Sequence, residues 1–275
     1  MKNELYSIGK VEEICKITKK ALRYYDKMGI LSPDKIGDES GYRYYSKKNL
    51  LSVPIIKYYK QSGFKLDEMK DFLDGAPYSR YEKSFRYKID ELEEMEREIN
   101  LKLKSVKDWY DLIHEAEMVL ENNICHVAVK YIDSCKMTFL DQEYEYDYMD
   151  SIINIGFTNY IESIKNAITG PVIIQFPSFK DKMEGVCSKS RIMQETILKC
   201  DEDKTMEYGG AMFICCYHIG AHSNIEESYK KIQDFISSGS YECEEQVYER
   251  YVTDYWTTQD EDKFVTELLV KIKRK

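Results

Sequence analysis

The chain has 275 residues, of which 43% are hydrophobic and 32% charged, and its formal net charge is −9. This length allows two domains, and this composition excludes a wholly disordered chain. No apolar run approaches the roughly 20 residues that a membrane-spanning helix needs. Residues 1–10 contain no apolar signal region, so we expect a cytoplasmic protein without a membrane partner.

The charge is unevenly distributed along the chain. Residues 1–75 hold 15 Lys and Arg against 11 Asp and Glu, a net charge of +4, whereas the remaining residues hold 25 against 38, a net charge of −13. This asymmetry predicts a basic domain attached to an acidic one. Because a local patch decides what binds DNA, the overall charge of −9 does not exclude DNA as a partner of the basic segment.

The start of the basic segment has the spacing of a helix-turn-helix motif. Ser7 can cap a first helix, and two or three residues after it Thr18 can cap a second helix that Gly29 ends. On the second helix, Leu22 and Tyr25 are expected to face inward. Four basic residues recur at helical spacing on another side, namely Lys16, Lys20, Arg23 and Lys27. Such a stripe is more often a solvated face, but the helix-turn-helix spacing favours DNA contact.

A short hairpin, or wing, is predicted after Pro33. Gly37 and Gly41 bracket a turn, and the run Tyr42–Tyr45 favours a strand. Arg43 stands among three tyrosines in this run. That mixture supplies both a charge for phosphate and hydroxyl groups for hydrogen bonds, so the wing is predicted to contact a DNA backbone.

Two further helices complete the segment. Ser46 can cap a third helix that extends through Lys60 and ends at Gly63. Pro54 lies inside it, where it removes a backbone donor and crowds the carbonyl of Leu50, so we expect the helix to kink at Pro54 or to begin there. Either outcome would shift Lys60. The fourth helix carries one apolar face, formed by Leu66, Met69, Phe72 and Leu73.

Together these motifs resemble the MerR-type winged helix-turn-helix. The resemblance depends on four runs in the family's order and spacing, YSIGKVEEI, LRYYDKMGIL, SGYRYYS and SGFKLDEMKDFL. It implies that residues 1–75 bind double-stranded promoter DNA. It places at or near the DNA backbone the residues Arg23, Tyr24, Tyr42, Arg43 and Lys60, to which the basic stripe adds Lys20. It also implies that Tyr24, Tyr25 and Lys60 help to distort the centre of the operator.

Residues 76–120 are predicted to form a long dimerisation helix. Neither Gly nor Pro occurs from Ser79 to Leu120. Apolar residues recur every seven positions, at Phe85, Leu92, Ile99, Val106 and Ile113. A second row alternates with the first at coiled-coil spacing, at Ile89, Glu96, Leu103 and Tyr110. We favour an antiparallel coiled coil between two copies, which the MerR resemblance also implies; the alternative is a helix that packs on its own domain.

Residues 121–275 are predicted to form an α+β domain. Five apolar runs predict strands, HVAVKYI, GPVIIQF, GAMFICCYHI, EQVYERYVTDYW and FVTELLVKI. Two helical stretches, Tyr148–Ala167 and Asn224–Ser238, separate them. The order strand, helix, strand, strand occurs twice and indicates an internal repeat. The acidic tract Asp141–Asp150 is expected to be solvated and mobile, with Tyr148 able to reach the mouth of a pocket.

This C-terminal part resembles the GyrI-like effector domain of multidrug-responsive, BmrR-like MerR regulators. The resemblance depends on the runs VYERY (Val247–Tyr251) and VTELLVKI and on the order of the domains. It implies a lipophilic, cationic small-molecule effector that Glu249 pairs with. It also implies four pocket-wall residues, Tyr251, Phe264, Tyr217 and Ile219. Residues 141–190 match less clearly, so the resemblance assigns no ligand contact there.

The residues around Glu249 give a physical argument of their own. On a strand, Glu249 shares one face with Val247 and Tyr251. A carboxylate buried among apolar and aromatic groups is unfavourable unless a cation pairs with it or its pKa rises. A lipophilic cation could supply the charge, while aromatic faces add about 0.5–2 kcal/mol of cation–π attraction. The alternative is a carboxylate that lies on the surface or is paired with a lysine.

The preferred function is therefore a dimeric, ligand-responsive transcription regulator. The resemblance implies an activator that distorts a palindromic operator so that RNA polymerase can use the promoter, with no cofactor, metal or enzyme activity. Two alternatives stay open. The C-terminal domain could be a small-molecule hydrolase with Glu249 as general base. The eight cysteines, which include no CxxC pair, could also sense redox state or a metal, although buried packing roles are the commoner use of such residues.

Overall fold

The computed structural model describes residues 4–73, 75–145, 148–239 and 241–273. The chain divides into two compact units, Met1–Glu98 and Ile99–Lys275. A single long helix, α5, contributes residues to both units, and each unit has its own hydrophobic core. Among the described residues, no helix combines the length and the apolar character that would let it cross a membrane.

The first unit contains a three-stranded sheet and five helices. Its elements are β1 (Leu5–Ser7), α1 (Ile8–Cys15), α2 (Lys19–Lys27), β2 (Lys35–Ile36), β3 (Arg43–Ser46), α3 (Lys47–Gln61), α4 (Leu66–Leu73) and the start of α5 (Tyr78–Glu121). The antiparallel sheet has the order β1-β3-β2. The predicted wing is the hairpin of β2 and β3, and β1 adds a third strand that the sequence did not predict.

The helix-turn-helix forms at the predicted positions. The Thr18 side chain accepts a hydrogen bond from the Ala21 amide (3.1 Å), and α2 ends before Gly29, which has a positive φ of 69°. Leu22 and Tyr25 face inward, as predicted, and pack in the core of this unit. The exposed basic residues of α2 are thereby fixed on the opposite side of the helix.

Two local features differ from the prediction. Lys16 lies in the left-handed region (φ 51°), in the turn after α1, so it is not part of the basic stripe on α2. The expectation that α3 begins at Pro54 is wrong, since α3 runs from Lys47 to Gln61 with Pro54 inside it. The thiol of Cys15 lies 3.9 Å from the Leu50 carbonyl, the group from which Pro54 withholds its usual donor. Lys60 stays in the last turn of α3 and is exposed.

The second unit is an eight-stranded antiparallel sheet with helices. After α5 its elements are β4 (Ala128–Ile132), β5 (Cys135–Glu143), α6 (Tyr148–Ile152), α7 (Ile155–Ser163), β6 (Ile168–Phe176), α8 (Phe179–Met183), β7 (Lys189–Thr196), β8 (Thr205–Tyr208), β9 (Ala211–Ile219), α9 (Glu226–Ser238), β10 (Cys243–Thr253) and β11 (Val265–Ile272). The sheet order is β4-β9-β11-β10-β6-β7-β5-β8. The two ends of this order mirror each other, because β4, β5, β6 and β7 correspond to β8, β9, β10 and β11.

The strand, helix, strand, strand repeat is confirmed by this topology. One copy is β5, α6 with α7, β6 and β7, and the other is β9, α9, β10 and β11. The innermost strands of the two copies, β6 and β10, pair with each other in the centre of the sheet. The strand that precedes each copy in the chain pairs with the other copy. Thus β4, which precedes β5, pairs with β9, and β8, which precedes β9, pairs with β5.

The prediction for the acidic tract is correct in part: Asp141 and Glu143 are exposed, but the first residues of the tract form a strand, and Tyr144 is buried. Asp141–Glu143 belong to β5, and the ring of Tyr144 is buried in the core. Asp141 forms an ion pair with Arg191 on the neighbouring β7, which offsets its charge in the sheet. The strands β5, β7 and β8 were missed because charged and polar residues interrupt their apolar patterns. The tract's residues 146–147 lie outside the described part of the chain.

The helix α5 has the predicted length, and its apolar residues are of two kinds, buried and exposed. Leu112, Ala116 and Val119 are buried and pack with Val252 and Val265 of the sheet. The first heptad row is instead between 39% and 66% exposed, at Phe85, Leu92, Ile99, Val106 and Ile113. The helix therefore packs on its own domain near its C-terminal end, and it also exposes the apolar rows that a coiled coil would use.

Candidate functional site

The first unit exposes most of the residues predicted to contact DNA. Five of the seven have exposed side chains, namely Lys20, Arg23, Tyr24, Tyr42 and Lys60. Lys20, Arg23 and Tyr24 lie on α2, and Tyr42 lies in the wing. Their ammonium, guanidinium and phenol groups can bind the phosphate backbone of DNA. Their contact with DNA remains a prediction.

Arg43 and Tyr25 have roles inside the first unit. The Arg43 Nε donates to Asp26 Oδ2 (2.8 Å), which joins the wing to α2. The Tyr25 ring is only 4% exposed. Tyr25 can therefore influence DNA only through the position of α2. Arg43 is half-buried, and its two terminal guanidinium nitrogens are further donors that could contact a phosphate.

The second unit buries Glu249 on the sheet face that α7 and α9 cover. Glu249 is 2% exposed and lies beside Val247 and Tyr251 in the helix-covered core. Its Oε1 accepts a hydrogen bond from the Tyr229 hydroxyl (2.7 Å), and its Oε2 accepts one from the Tyr251 hydroxyl (2.6 Å). The predicted strand geometry is therefore observed, and the carboxylate is held in one orientation by two phenols.

A lysine completes the surroundings of Glu249. The Lys182 Nζ lies 3.3 Å from Glu249 Oε1 and donates to the Tyr144 hydroxyl (2.6 Å). The same ammonium lies 4.3 Å from the ring centroid of Tyr144 and 4.0 Å from that of Phe176. Both side chains of the ion pair are almost fully buried. The lysine-paired carboxylate that the sequence left open is thus present, but it is inside the domain rather than on its surface.

The contacts of Glu249 favour its ionised form, whereas burial favours the neutral form of the neighbouring His222. Burial alone would raise the pKa of Glu249, but the charge of Lys182 and the hydrogen bonds from Tyr251 and Tyr229 hold it below its ordinary value. Burial lowers the pKa of His222 to about 4, which the charge of Glu249 only partly opposes. The His222 ring lies 5.3 Å from the Tyr251 ring and 6.1 Å from that of Phe264.

A cavity of about 630 Å³ reaches the Glu249 carboxylate. Its lining includes Tyr144, Lys182, His222, Tyr229 and Glu249, and its exposed rim includes Glu226, Glu227 and Lys230. Tyrosine rings beside a buried pair of opposite charges are groups that can orient a small organic molecule. Tyr229, Tyr144, Lys182 and His222 were missed from the sequence, because no local motif places them near Glu249.

The predicted wall residues are divided between two faces of the sheet. Tyr251 contacts Glu249 directly, and Phe264 packs behind His222. Tyr217 and Ile219 pair with Glu267 and Val265, on the opposite face, so they do not line this cavity. Tyr148 begins α6, and its side chain lies outside the described part of the structure.

The opposite face of the sheet carries a buried ion network that reaches α5. Arg250, the neighbour of Glu249 along β10, donates through both terminal nitrogens to Glu115 of α5 (2.6 and 2.7 Å). It also donates to Glu267 on β11 (3.1 Å), which forms an ion pair with Lys130. Burial would raise the pKa of Glu115, but Arg250 holds it below its ordinary value. Strand β10 therefore joins the Glu249 cavity on one face to helix α5 on the other.

The cysteines and histidines give no sign of a metal or redox centre. Among the residues that the structure describes, no group of three or more His, Cys, Asp or Glu side chains could hold a metal ion. Burial raises the pKa of Cys216 to about 11, and it also raises the pKa values of Cys135 and Cys215. A raised thiol pKa reduces the thiolate fraction that redox sensing requires.

Asp254, at the end of β10, gives the domain a pH-dependent instability. It is 5% exposed, and burial raises its pKa to about 6, which the hydrogen bond from the Trp256 amide only partly opposes. Because its pKa is raised on folding, Asp254 stabilises the folded state when it is protonated. This stabilisation is complete below the pKa of the unfolded chain and is lost as the pH rises through about 6.

We expect Asp254→Asn to raise the unfolding free energy at pH 7.5 by about 1–3 kcal/mol, with no gain at pH 4. Urea unfolding at the two pH values checks this, with Asp262→Asn as an exposed control on the next loop. An equal effect of Asp254→Asn at both pH values would contradict the role of its ionisation.

Comparison with known proteins extends these observations. A family model described as MerR HTH family regulatory protein matches residues 6–76, and one described as GyrI-like small molecule binding domain matches residues 159–273. The Multidrug-efflux transporter 1 regulator of Bacillus subtilis (strain 168) is 37% identical over 113 residues, which are 39% of this chain and 41% of that protein. The match thus spans less than half the length of that relative.

Two other comparisons cover nearly the whole chain. The Multidrug-efflux transporter 2 regulator of the same organism is 22% identical over 98% of this chain and 96% of its own length. A cryo-EM structure of the EcmrR–DNA complex in EcmrR-RPo is 17% identical, with a TM-score of 0.47, and the match covers 98% of this chain and 100% of that one. The chain therefore combines a MerR-type HTH domain in residues 6–76 with a GyrI-like small molecule binding domain in residues 159–273.

Proposed function

We propose that this regulator responds to a lipophilic cation, which binds at Glu249 in the GyrI-like domain. The observation that carries the proposal is a buried, ionised carboxylate at the end of an aromatic cavity. Two tyrosine hydroxyls orient it, so a charged ligand would meet a fixed acceptor. The two Bacillus relatives are regulators of multidrug-efflux transporters by name, which supports a lipophilic effector for this chain as well.

The first unit is proposed to bind promoter DNA as part of a homodimer in the cytoplasm. The exposed apolar rows of α5 would pair with those of a second copy in an antiparallel coiled coil. Two basic heads related by a two-fold axis would contact a palindromic operator, with an affinity that falls steeply as the salt concentration rises. From the MerR-type head we also propose RNA polymerase at the promoter as a partner and activation as the outcome.

Ligand and DNA binding are proposed to be linked through β10 and α5. Glu249 and Arg250 are adjacent on β10, and Arg250 holds Glu115 of α5 through two hydrogen bonds. A ligand that shifts β10 would alter this contact and so the helix that carries the dimer seam. Linkage of this kind is reciprocal: the ligand favours the active DNA-bound state, and that state favours the ligand.

The hydrolase alternative is weaker on the geometry of the same residue. A general base needs a free lone pair and a pKa near the working pH. Glu249 is engaged by Tyr229, Tyr251 and Lys182, and its pKa is held below the ordinary value of a carboxyl group. We therefore propose that the chain is not an enzyme.

The DNA-binding proposal predicts that Arg23→Ala combined with Tyr24→Phe lowers operator affinity by at least about 100-fold and reduces the salt dependence by about one unit of slope. The measurement is a gel-shift titration on an operator selected from random-sequence DNA by the wild-type chain. Lys136→Ala with Tyr131→Phe, two exposed residues of the second unit, is the matched control. Unchanged operator affinity in the head variant would refute the assignment.

A further inference from the structure

Lys182 occupies the position in the cavity that suits the charge of a cationic ligand. Its ammonium lies 3.3 Å from Glu249 and over two ring faces, those of Tyr144 and Phe176. A buried carboxylate beside aromatic faces is the arrangement that recognises organic cations. The chain therefore supplies, from its own sequence, a cation that already satisfies this arrangement.

The segment that carries Lys182 is a short helix, α8. Helix α8 has only five residues, begins after the Ser178 cap and ends next to Gly185, which has a positive φ of 68°. A helix of this length has little stability of its own, so its position depends on the contacts of its side chains. Phe179 packs on the Tyr229 ring (5.5 Å between centroids), and Lys182 makes the polar contacts described above. Phe179 and Met183 pack against the helix-covered core, so the Lys182 side chain can leave the cavity while these two residues hold the ends of α8.

We propose that Lys182 is a resident cation that an effector must displace from Glu249, so that its side chain is a gate that sets the affinity and specificity of the site. This inference rests on the proposed cation-binding function. In the exchange, the effector's positive charge takes the place of the ammonium between Glu249 and the aromatic rings, and the lysine moves out to solvent.

The gate determines which chemical class of ligand can bind. Lys182 is tethered next to Glu249 and acts at a high effective concentration, so a small hydrophilic ammonium ion gains nothing by replacing it. A cation with bulky aromatic groups also removes apolar surface from water when it binds. Lys182 has a smaller apolar surface, so such a cation has a free-energy advantage over it. Only molecules in which Lys182 is withdrawn can bind a cationic ligand. The apparent affinity is therefore the intrinsic affinity multiplied by the fraction of such molecules.

The test compares two neutralised lysines on α8 in the full chain. Lys182→Met should bind tetraphenylphosphonium about 10-fold or more tightly than the wild type, because the internal competitor is gone. Lys180→Met, whose side chain is 79% exposed on the same helix, should bind it as the wild type does. Calorimetric titration measures both, with tetraphenylborate as an anionic probe of nearly equal size. Unchanged or weaker tetraphenylphosphonium binding by Lys182→Met would overturn the proposal.

Tetraphenylborate binding that Lys182→Met removes would also overturn the proposal, since Lys182 would then be a ligand contact for anions. Failure of the proposed function has a different signature, in which neither the wild type nor Lys182→Met binds tetraphenylphosphonium.

A second measurement needs no variant and remains valid if Lys182→Met folds poorly. In the wild-type chain, Lys182 should react slowly with acetic anhydride because its side chain is 8% exposed. Saturating tetraphenylphosphonium should increase its acetylation several-fold by mass spectrometry, while acetylation of Lys180 stays constant. A decrease at Lys182 would show that the ligand covers the lysine instead of displacing it, and would contradict the gate.

Discussion

Glu249→Gln is expected to weaken tetraphenylphosphonium binding by at least about 30-fold, because loss of one partner from a buried charge pair removes about 2–5 kcal/mol. The substitution keeps the size of the side chain, and its single carbonyl oxygen can accept a hydrogen bond from one of the hydroxyls of Tyr229 and Tyr251, while the other hydroxyl can accept one from the amide nitrogen. It removes the negative charge that pairs with Lys182 and that would pair with a cationic ligand.

The control for this prediction is a second carboxylate of the same cavity. Glu226 lines the cavity from α9 but is exposed, so water screens its charge. We expect Glu226→Gln to change tetraphenylphosphonium affinity by less than about threefold, the effect of an exposed ion pair. The measurement is calorimetric titration of the full chain at one ionic strength, with circular dichroism to confirm that each variant is folded.

A neutral probe separates charge recognition from shape. Triphenylphosphine oxide has similar aromatic groups and no net charge, so its affinity should change little in Glu249→Gln. An equal loss for the cation and the neutral probe would reject the role of Glu249 as a counter-ion and would assign it to the packing of the cavity. The pair of probes thus tests the chemistry of the site as well as its location.

The sequence predicted the parts of this site that depend on local patterns. Alternation along β10 was enough to place Glu249 beside Val247 and Tyr251 on one face, because side chains of a strand alternate strictly. The caps at Ser7 and Thr18 likewise predicted the starts of α1 and α2, because a capping side chain bonds an amide only three residues away. Helix periodicity gave α5 almost to its ends.

Contacts between distant segments could not be predicted in this way. Lys182 stands 67 positions from Glu249 and meets it because β6, which precedes α8, pairs with β10. Tyr229 stands 20 positions away and meets Glu249 because α9 packs on the same face of the sheet. The faces of Tyr217 and Ile219 depend on the register of β9 with β11, which no single strand reveals. Strands such as β5 were missed because an ion pair across strands, Asp141 with Arg191, permits charges in the sheet.

The second large effect is expected from Arg250→Met, which should lower the unfolding free energy of the second unit by about 3–5 kcal/mol. Arg250 is the shared partner of Glu115 and Glu267, so its removal leaves two poorly exposed carboxylates near each other. Their mutual repulsion and their lost hydrogen bonds both favour the unfolded chain. Methionine retains most of the aliphatic volume, so a cavity explains little of the loss.

A half-buried arginine with an exposed partner, on the same sheet, provides the comparison. Arg191 pairs with Asp141, whose side chain is 69% exposed, so Arg191→Met should cost at most about 1 kcal/mol. The two tryptophans of the chain, Trp109 and Trp256, both lie in the second unit. Their fluorescence during urea unfolding therefore reports the stability of that unit in the full chain.

A double-mutant cycle then identifies the contact that links the sheet to α5. Glu115→Leu should be destabilising alone, and its combination with Arg250→Met should cost clearly less than the sum of the two single changes, because each removes the other's unpaired charge. Additive losses would mean that the two residues act separately and that β10 does not hold α5 through this pair. If the cycle shows coupling, the Glu115→Gln variant should still bind tetraphenylphosphonium at Glu249. Tetraphenylphosphonium should then no longer change the operator affinity of this variant, because the ion pair that links β10 to α5 is lost.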